Sequence, residues 1–280
     1  MIRKENLIMK KILALLLSLM MISCCALSLA EDTGLADVMA KGKLIMGFDE
    51  AYPPMGFVEN GKHVGFDIDL AKEVCSRMGV DLVLQPIAWD AKEMELNTGN
   101  IDCIWSGLTI TEERKAQMLF TMPYLANEQI MVVRNDSGIA SVAETAGKVL
   151  GTQAGSASVD VLEANPDIKN ALGDVSLYDD FVTALMDLKL GGIDVLLIDS
   201  VVGNYYISQQ EDPTLFTVLP EVLQAEEYGI AVRMDEVTLA DAINAQLIAI
   251  CEDGKLSEIN AGWFANDVTV VADYIDAYKK

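Results

Sequence analysis

The chain has 280 residues, 51% of them hydrophobic and 22% charged, which allows one large domain or two medium-sized domains with a buried core. Its formal net charge of −23 would repel phosphate backbones and argues against nucleic acid as a partner. Because it contains a single histidine, His63, the sequence also excludes a histidine-rich zinc site.

The first 30 residues predict an export signal. A basic pair and an apolar run occupy residues 10–22, and the run is too short to span a membrane by itself. We favour cleavage after Ala30, and a lipid anchor at Cys24 is the alternative; Met9 is a second candidate for the start of translation. Since this signal holds four basic residues and one acidic residue, the remaining chain has a formal charge of −26.

Three cysteines follow the signal: Cys75, Cys103 and Cys251. Their number is odd and their spacing matches no metal or redox motif, so we predict buried or half-buried free thiols. We expect neither a bound metal nor a cofactor.

The first half of the chain alternates predicted strands and helices. Residues 43–48 read as a short apolar strand, after which Pro53 and Pro54 are expected to prevent regular structure. An amphipathic helix is predicted over residues 65–78, with Asp67 as its capping residue. The elements that follow are a strand over residues 80–86, a helix over 89–98, a strand over 101–105 and a helix opened by Thr109 and Glu112 at capping-box spacing.

A second round of the same alternation begins near residue 130. Its predicted elements cover residues 130–133, 149–151, 160–163, 181–190 and 193–198. Two further helices are predicted over residues 239–251 and 256–264. Elements of these lengths in this order predict parallel βαβ units and therefore the α/β class.

The residues that follow each predicted strand are the candidates for a binding site, because ligands of open α/β sheets bind beyond the carboxyl ends of the strands. The set contains an acid, hydroxyls and glycines: Asp49 and Tyr52; Ser106, Gly107 and Thr109; Gln153, Gly155, Ser156 and Ala157; and Asp199. Together with Arg114 on the next helix it suits a zwitterion. A guanidinium can bind a carboxylate through two parallel hydrogen bonds, and a carboxylate can accept from an ammonium.

Residues 65–70 carry a more specific pattern. Glycine, aromatic, acid, aliphatic, acid and aliphatic residues in this order resemble the signature of the family 3 bacterial extracellular solute-binding proteins. The resemblance extends from about residue 43 to about residue 267. Members of this family are receptors that supply polar amino acids to ABC importers.

The resemblance implies the two-lobed periplasmic-binding-protein fold (type II), with two hinge strands near residues 127–129 and 225–228. The implied domain limits are a signal peptide over residues 1–30, lobe 1 over residues 31–127 and 226–280, and lobe 2 over residues 128–225.

The resemblance also assigns roles to the candidate residues. Arg114 would bind the α-carboxylate of the ligand, and Ser106, Gly107 and Thr109 would complete the contacts of the first lobe. The loop with Gln153, Ser156 and Ala157 would bind the same carboxylate from the second lobe. Asp199 would accept from the ammonium group.

Three residues are expected around the ligand side chain. Tyr52 and Trp89 occupy positions where members of the family place aromatic rings, and Asp49 lies where some place an acid at the polar end. The identity of the amino acid stays open, and we place glutamine or another neutral polar ligand slightly ahead of a basic one. Asp49 would suit a cationic side chain or an amide, and the two rings are also compatible with cystine or another neutral polar ligand.

The function that the resemblance implies is that of a monomeric, non-enzymatic receptor in the periplasm or on the outer face of the cell membrane. Its partners would be a free amino acid and the permease subunits of an ABC importer. The alternative is an enzyme of the same fold that resembles the cyclohexadienyl and arogenate dehydratases. Against it stands the lack of a nucleophile–base constellation in the sequence.

Overall fold

The computed structural model describes residues 32–279. The predicted export signal, including Ala30, Cys24 and Met9, lies outside the described residues. From Thr33 onward the chain forms one compact unit. Within the described residues, no helix combines the length and the apolar character that are needed to cross a bilayer.

The elements of the first half of the chain are α1 (Gly34–Lys41), β1 (Lys43–Phe48), β2 (Ala51–Tyr52), β3 (Gly56–Glu59), β4 (Lys62–Val64), α2 (Phe66–Met78), β5 (Asp81–Pro86), α3 (Lys92–Asn97), β6 (Cys103–Ile104), α4 (Glu112–Lys115), β7 (Leu119–Phe120) and β8 (Leu125–Arg134). Those of the second half are β9 (Val149–Gln153), α5 (Ala157–Ala164), α6 (Pro166–Ala171), β10 (Asp174–Tyr178), α7 (Phe181–Leu190), β11 (Val195–Asp199), α8 (Ser200–Ser208), β12 (Phe216–Tyr228), β13 (Ala231–Val232), α9 (Val237–Glu252), α10 (Lys255–Trp263) and α11 (Val271–Tyr278).

The first five-stranded sheet has the order β5–β1–β6–β13–β7. β1 pairs in parallel with β5 and β6, and β13 pairs antiparallel with β6 and β7. Helix α2 packs against α9 and α10 beside this sheet, and its apolar side, which includes Ile68, Leu70 and Val74, is buried. This sheet and its helices form the first lobe.

The second five-stranded sheet has the order β10–β9–β11–β8–β12. β9 pairs in parallel with β10 and β11, whereas β8 runs antiparallel to both β11 and β12. Helix α7 packs on β9 and α8 packs on β8. This sheet and its helices form the second lobe, so the α/β class and the two-lobed fold predicted from the sequence are confirmed.

Strands β8 and β12 connect the two lobes and are the predicted hinge strands. They pair from Leu125 opposite Tyr228 to Arg134 opposite Phe216. The backbone N–H of Tyr124, just before β8, donates to the Tyr228 carbonyl at 2.9 Å, which links the first residues of β8 to the last residue of β12. Side chains alternate along these strands, so that Asn127 is buried while its neighbours on β8 are exposed.

The structure corrects several expectations about local elements. Pro53 and Pro54 lie in a turn, as expected, but the short strand β2 precedes them and forms a three-stranded antiparallel sheet with β3 and β4. Helix α2 begins after Gly65, and Asp67 lies within its first turn, fully buried, without capping it. Helix α4 begins after Thr111, whose hydroxyl accepts from the backbone N–H of Arg114. Thr109 does not cap this helix because its hydroxyl donates to Glu226.

The prediction for the cysteines is confirmed. Cys75 and Cys103 are free and buried, and Cys251 is free and half-buried. Burial raises the pKa of the Cys75 thiol to about 12, which keeps it protonated at neutral pH.

Candidate ligand-binding site

The carboxyl ends of strands from both lobes face one small cavity. Its lining is Tyr52, Trp89, Gly107, Thr109, Arg114, Gln153, Ser156, Ala157, Phe181 and Asp199. Nine of the eleven residues to which the resemblance assigns a contact with the ligand are therefore brought together. The other two lie directly behind the lining, where the Ser106 hydroxyl accepts from the backbone N–H of Asp49 at 3.1 Å.

Arg114 enters the cavity from the first turn of α4. Its side chain is buried, and its Nη1 donates to the Thr109 carbonyl at 2.9 Å. Its Nη2 donates across the cleft to the Gly155 carbonyl at 3.3 Å and lies 3.9 Å from the half-exposed carboxylate of Asp160. The guanidinium is thus held by backbone carbonyls and by one distant acid, which leaves it able to bind a carboxylate in the cavity.

Gly107 occupies a position that only glycine fits. Its φ is +56°, and a Cβ atom built there would lie 2.6 Å from the ring of Tyr52 and 3.0 Å from the ring of Tyr228. Its N–H donates to Oδ2 of Asp67 at 2.8 Å. Burial raises the pKa of Asp67 to about 7. Asp67, a residue of the pattern at positions 65–70, therefore contributes to the site by holding the backbone of Gly107 in place.

The loop between β9 and α5 forms the wall on the second lobe. Gly155 turns the chain with a φ of +67°, and the Ser156 hydroxyl donates to the Gln153 carbonyl at 2.8 Å. Ala157 is the first residue of α5, and because Ser156 and Ala157 both line the cavity, the N-terminal end of this helix lies beside it.

Away from the hinge strands, further hydrogen bonds besides that of Arg114 cross the cleft between described residues. Lys92 Nζ donates to the Gly155 carbonyl at 2.9 Å, and Gln153 Nε2 donates to Oδ2 of Asp49 at 2.7 Å. The Tyr206 hydroxyl donates to the Ala51 carbonyl at 3.0 Å. These bonds require that the two lobes lie close together.

Lys92 is a buried cation that the sequence did not point to. Its Nζ lies 5.0 Å from the centre of the Trp89 ring and 3.2 Å from the Glu93 carboxylate. Burial, followed by the charge of Arg114, lowers the pKa of this lysine.

Aromatic rings form one side of the cavity. Tyr52 and Trp89 are nearly parallel, with an angle of 8° between their planes and 6.5 Å between their centres. Phe181, the first residue of α7, lies 6.0 Å from Tyr52 and completes this side. The sequence did not single out Phe181, because an apolar residue that opens a helix is most simply read as core.

Two carboxylates belong to the site: Asp199 lines the cavity, and Asp49 lies behind the lining. Asp49 is buried and accepts from the Ala51 N–H at 2.8 Å as well as from Gln153. Burial raises its pKa, and the nearby acids Asp180 and Glu50 act in the same direction.

Asp199 lies at the end of β11. Its Oδ1 accepts from Asn127 at 2.7 Å, from Gln129 at 2.8 Å and from the Tyr228 hydroxyl at 2.8 Å. The Tyr228 hydroxyl is in turn 3.0 Å from that of Tyr52. Three neutral donors therefore surround this carboxylate, and Tyr228 belongs to the site although the sequence suggested no site chemistry so close to the tail.

The volume of the cavity is about 10 Å³, which is room for roughly one water molecule. An amino acid can therefore enter only if the two walls move apart. A larger cavity of about 1030 Å³ lies on the other side of the hinge strands, beside Trp263 and Phe264. We place the candidate site in the small cavity, because Arg114 and Asp199 both line it and neither lines the larger one.

Comparisons with known proteins agree on one family. Residues 44–266 match the bacterial extracellular solute-binding proteins, family 3. The L-cystine-binding protein TcyJ of Escherichia coli (strain K12) is 30% identical over 245 residues, which cover 86% of this chain and 90% of the relative. The ABC transporter arginine-binding protein 1 of the same organism is 32% identical over 231 residues, covering 80% and 92%. The crystal structure of an ABC uptake transporter substrate binding protein from Streptococcus pneumoniae with bound histidine has a TM-score of 0.83 and 39% identity, and the match covers 85% of this chain and 98% of that one.

Proposed function

Since this chain belongs to the bacterial extracellular solute-binding proteins of family 3, we propose that it binds a free amino acid between its lobes and delivers it to the permease of an ABC importer. The function of its relatives as amino acid-binding proteins supports this role.

One observation within the site carries the proposal: a buried guanidinium and a buried carboxylate, Arg114 and Asp199, face the same cavity. Every α-amino acid has a carboxylate and an ammonium group on one carbon, and these two side chains complement both charges. We propose that Arg114 binds the α-carboxylate and that Asp199 binds the ammonium. The remaining proposed ligand contacts are Asp49, Tyr52, Trp89, Ser106, Gly107, Thr109, Gln153, Ser156 and Ala157.

We propose a cationic amino acid as the ligand, with arginine as the first candidate. Asp49 is buried, and within the described residues no lysine or arginine lies within 4.0 Å of it. The acids Glu50 and Asp180 add to the negative charge around it. A buried carboxylate without a cationic partner is costly, and a guanidinium in the ligand side chain would pair with it. The arginine-binding relative supports this choice.

We further propose that the protein acts as a monomer without catalytic activity. It would be cleaved after Ala30 and work in the periplasm or at the outer face of the membrane, with lobe limits after residues 127 and 225. A dehydratase on the same fold would form product from prephenate or arogenate. Incubation of the purified protein with either compound separates the two hypotheses.

Thermal unfolding tests the proposal. The purified protein is freed of carried-over ligand by unfolding and refolding, and is then heated with each common amino acid, cystine and ornithine. A ligand that binds only the folded state at a hundredfold excess over Kd adds about 2.7 kcal/mol to the free energy of unfolding. A large upward shift of Tm with arginine supports the proposed ligand, a shift with cystine alone would redirect it to the specificity of TcyJ, and no shift with any amino acid would overturn the receptor function.

A further inference from the structure

A second carboxylate, that of Glu226 on hinge strand β12, lies next to Asp199. Both side chains are more than nine-tenths buried. They share their donors: Asn127 Nδ2 donates at 2.7 Å to Oδ1 of Asp199 and at 2.7 Å to Oε1 of Glu226. Gln129 Nε2 does the same at 2.8 Å and 2.9 Å. The two carboxylates therefore lie less than two hydrogen-bond lengths apart.

The strand register explains this pairing. Glu226 lies directly opposite Asn127 in the β8–β12 pair, and Gln129 lies opposite Asp199 in the β8–β11 pair. Residues 226 and 228 share one face of β12, so Glu226 and Tyr228 both point towards Asp199. The adjacent Glu227 points to the opposite side and accepts from the Tyr274 hydroxyl. The sequence pair Glu226-Glu227 is therefore divided between a buried acid and a half-buried one.

The pair carries more negative charge than its surroundings balance. Within residues 32–279, no salt bridge includes Asp199 or Glu226. Oε2 of Glu226 is buried and has no hydrogen-bond donor. The Thr109 hydroxyl donates to the other oxygen, Oε1 of Glu226, at 2.9 Å, so this hydrogen bond does not satisfy Oε2. A buried oxygen of this kind is satisfied either by a proton or by a cationic donor.

Two buried carboxylates in contact do not both ionise freely. Burial, and next to it the charge of Glu226, raises the pKa of Asp199 to about 8. The titratable groups that interact with the pair are Tyr52 on β2, Tyr228 on β12 and Asp160 on α5. On its other side Glu226 lines the larger cavity, which Lys115, Glu128 and Glu227 also line. The nearest cation that lines the small cavity, Arg114 on α4, is bound to the Thr109 and Gly155 carbonyls. In the protein without ligand, the pair therefore holds one proton near neutral pH.

We propose that Asp199 and Glu226 together form the ammonium-binding site, and that the ligand ammonium takes the place of a proton that the two carboxylates share when no amino acid is bound. This inference rests on the proposed function and adds to it a binding residue and a linked proton. The displaced proton passes to the solvent, and the ammonium supplies both the positive charge and the donors that the pair lacks. Glu226 thereby also couples binding to the hinge, since it lies on a strand that connects the lobes.

The linkage fixes the sign of the pH dependence. Because the pair must lose its proton before it can accept from an ammonium, the ligand binds more tightly as the pH rises towards the pKa of the pair. Between pH 6 and pH 8 the Kd falls by up to about tenfold for each pH unit. Above that range the pair is already deprotonated, so its titration no longer changes the Kd.

Isothermal titration calorimetry tests the inference on the purified protein. L-arginine, or the amino acid that raises Tm most, is titrated at pH 7 in phosphate and in Tris buffer, whose ionisation enthalpies differ. The difference between the two heats gives the number of protons released. The expected result is a release close to one proton per amino acid bound. The deamino analogue 5-guanidinopentanoic acid has no ammonium group and is expected to bind without release.

Two variants provide the comparison. In Glu226→Gln the amide keeps an acceptor for Thr109, and its Nε2 donates permanently to Asp199, so the variant is expected to fold and to release almost no proton. In Glu227→Gln the change lies on the same strand with the opposite orientation, and the wild-type release is expected. If Glu226→Gln fails to fold, the number of protons released by the wild-type protein and the pH dependence of its Kd still test the inference. Binding without proton release by the wild-type protein would overturn the inference and leave the proposed function intact, whereas no binding of any amino acid would overturn both.

Discussion

Replacement of Arg114 by alanine removes the cation proposed to bind the α-carboxylate. Arg114 is 6% exposed, and its guanidinium donates to the Thr109 and Gly155 carbonyls. Alanine at this position would leave the carboxylate of a bound amino acid buried without a cationic partner. We expect weaker binding and a smaller loss in the stability of the fold.

The magnitude follows from the burial of the pair. Removal of one partner of a buried, hydrogen-bonded ion pair costs about 3–5 kcal/mol, which corresponds to a roughly two-hundred- to five-thousand-fold rise in Kd. Loss of the bond to the Thr109 carbonyl lowers the free energy of unfolding by about 1–3 kcal/mol. Arg114→Lys keeps the charge and loses the two parallel donors, so its Kd is expected to lie between those of wild type and Arg114→Ala.

Calorimetric titration of the ligand identified by the thermal screen measures these constants, and thermal unfolding without ligand checks that each variant is folded. Lys115→Ala is the matched control, because Lys115 is the next residue on α4 and pairs at 2.9 Å with Glu112 on the surface. It removes the same charge, and its Kd is expected within about twofold of the wild-type value. A folded Arg114→Ala protein with a Kd within about threefold of wild type would refute the role of Arg114.

Three further predictions address other parts of the site. Asp49→Asn is expected to weaken the binding of L-arginine by about 1.5–3 kcal/mol more than that of L-glutamine, because only the cationic side chain loses a charged partner; equal losses would contradict a cationic ligand. Gly107→Ala forces a Cβ to within 2.6 Å of Tyr52, so we expect a loss of roughly 1–3 kcal/mol in the free energy of unfolding together with weaker binding. Gly99→Ala is the control, because Gly99 has a similar φ of +76° but no atom within 4 Å of the added Cβ. An equal rise in Kd in both variants would contradict a role for the clash with Tyr52. Asp67, whose pKa burial raises to about 7, stabilises the fold in its protonated form, and this contribution is lost as the pH rises from about 4 to 7 by up to about 1.4 kcal/mol per pH unit. Urea unfolding of Asp67→Asn is expected to lack this part of the slope, and equal slopes in the two proteins would contradict it.

Much of this site could be predicted from the sequence because its residues follow strands. Strand periodicity located β1, β9 and β11. The polar residues at the carboxyl ends of these strands, such as Asp49, Gln153 and Asp199, come together because ligands of open α/β sheets bind beyond these ends. The long helix α2 was equally clear from its apolar spacing and the glycine at its end.

The residues that escaped prediction depend on contacts between distant segments. Glu226 and Glu227 are chemically identical neighbours, and only the register of β12 against β8 decides which one is buried. Lys92 looks like an exposed residue of a short helix until the second lobe brings the Gly155 carbonyl to its ammonium group. Thr109 seemed to cap a helix, but Glu226, more than a hundred residues away, is its partner. The spacing of residues along one strand or helix carries no information on such contacts.

The small volume of the cavity has a consequence for the rate at which ligands exchange. While the bonds from Lys92, Gln153 and Tyr206 hold the lobes together, the cavity of about 10 Å³ admits no amino acid, so we expect a ligand to enter and to leave only when the lobes part. A competing amino acid therefore cannot speed the departure of the first one, and the half-life of the complex is set by how often the hinge opens. Opening of the hinge is thus the step that we expect to control both the uptake and the release of the ligand.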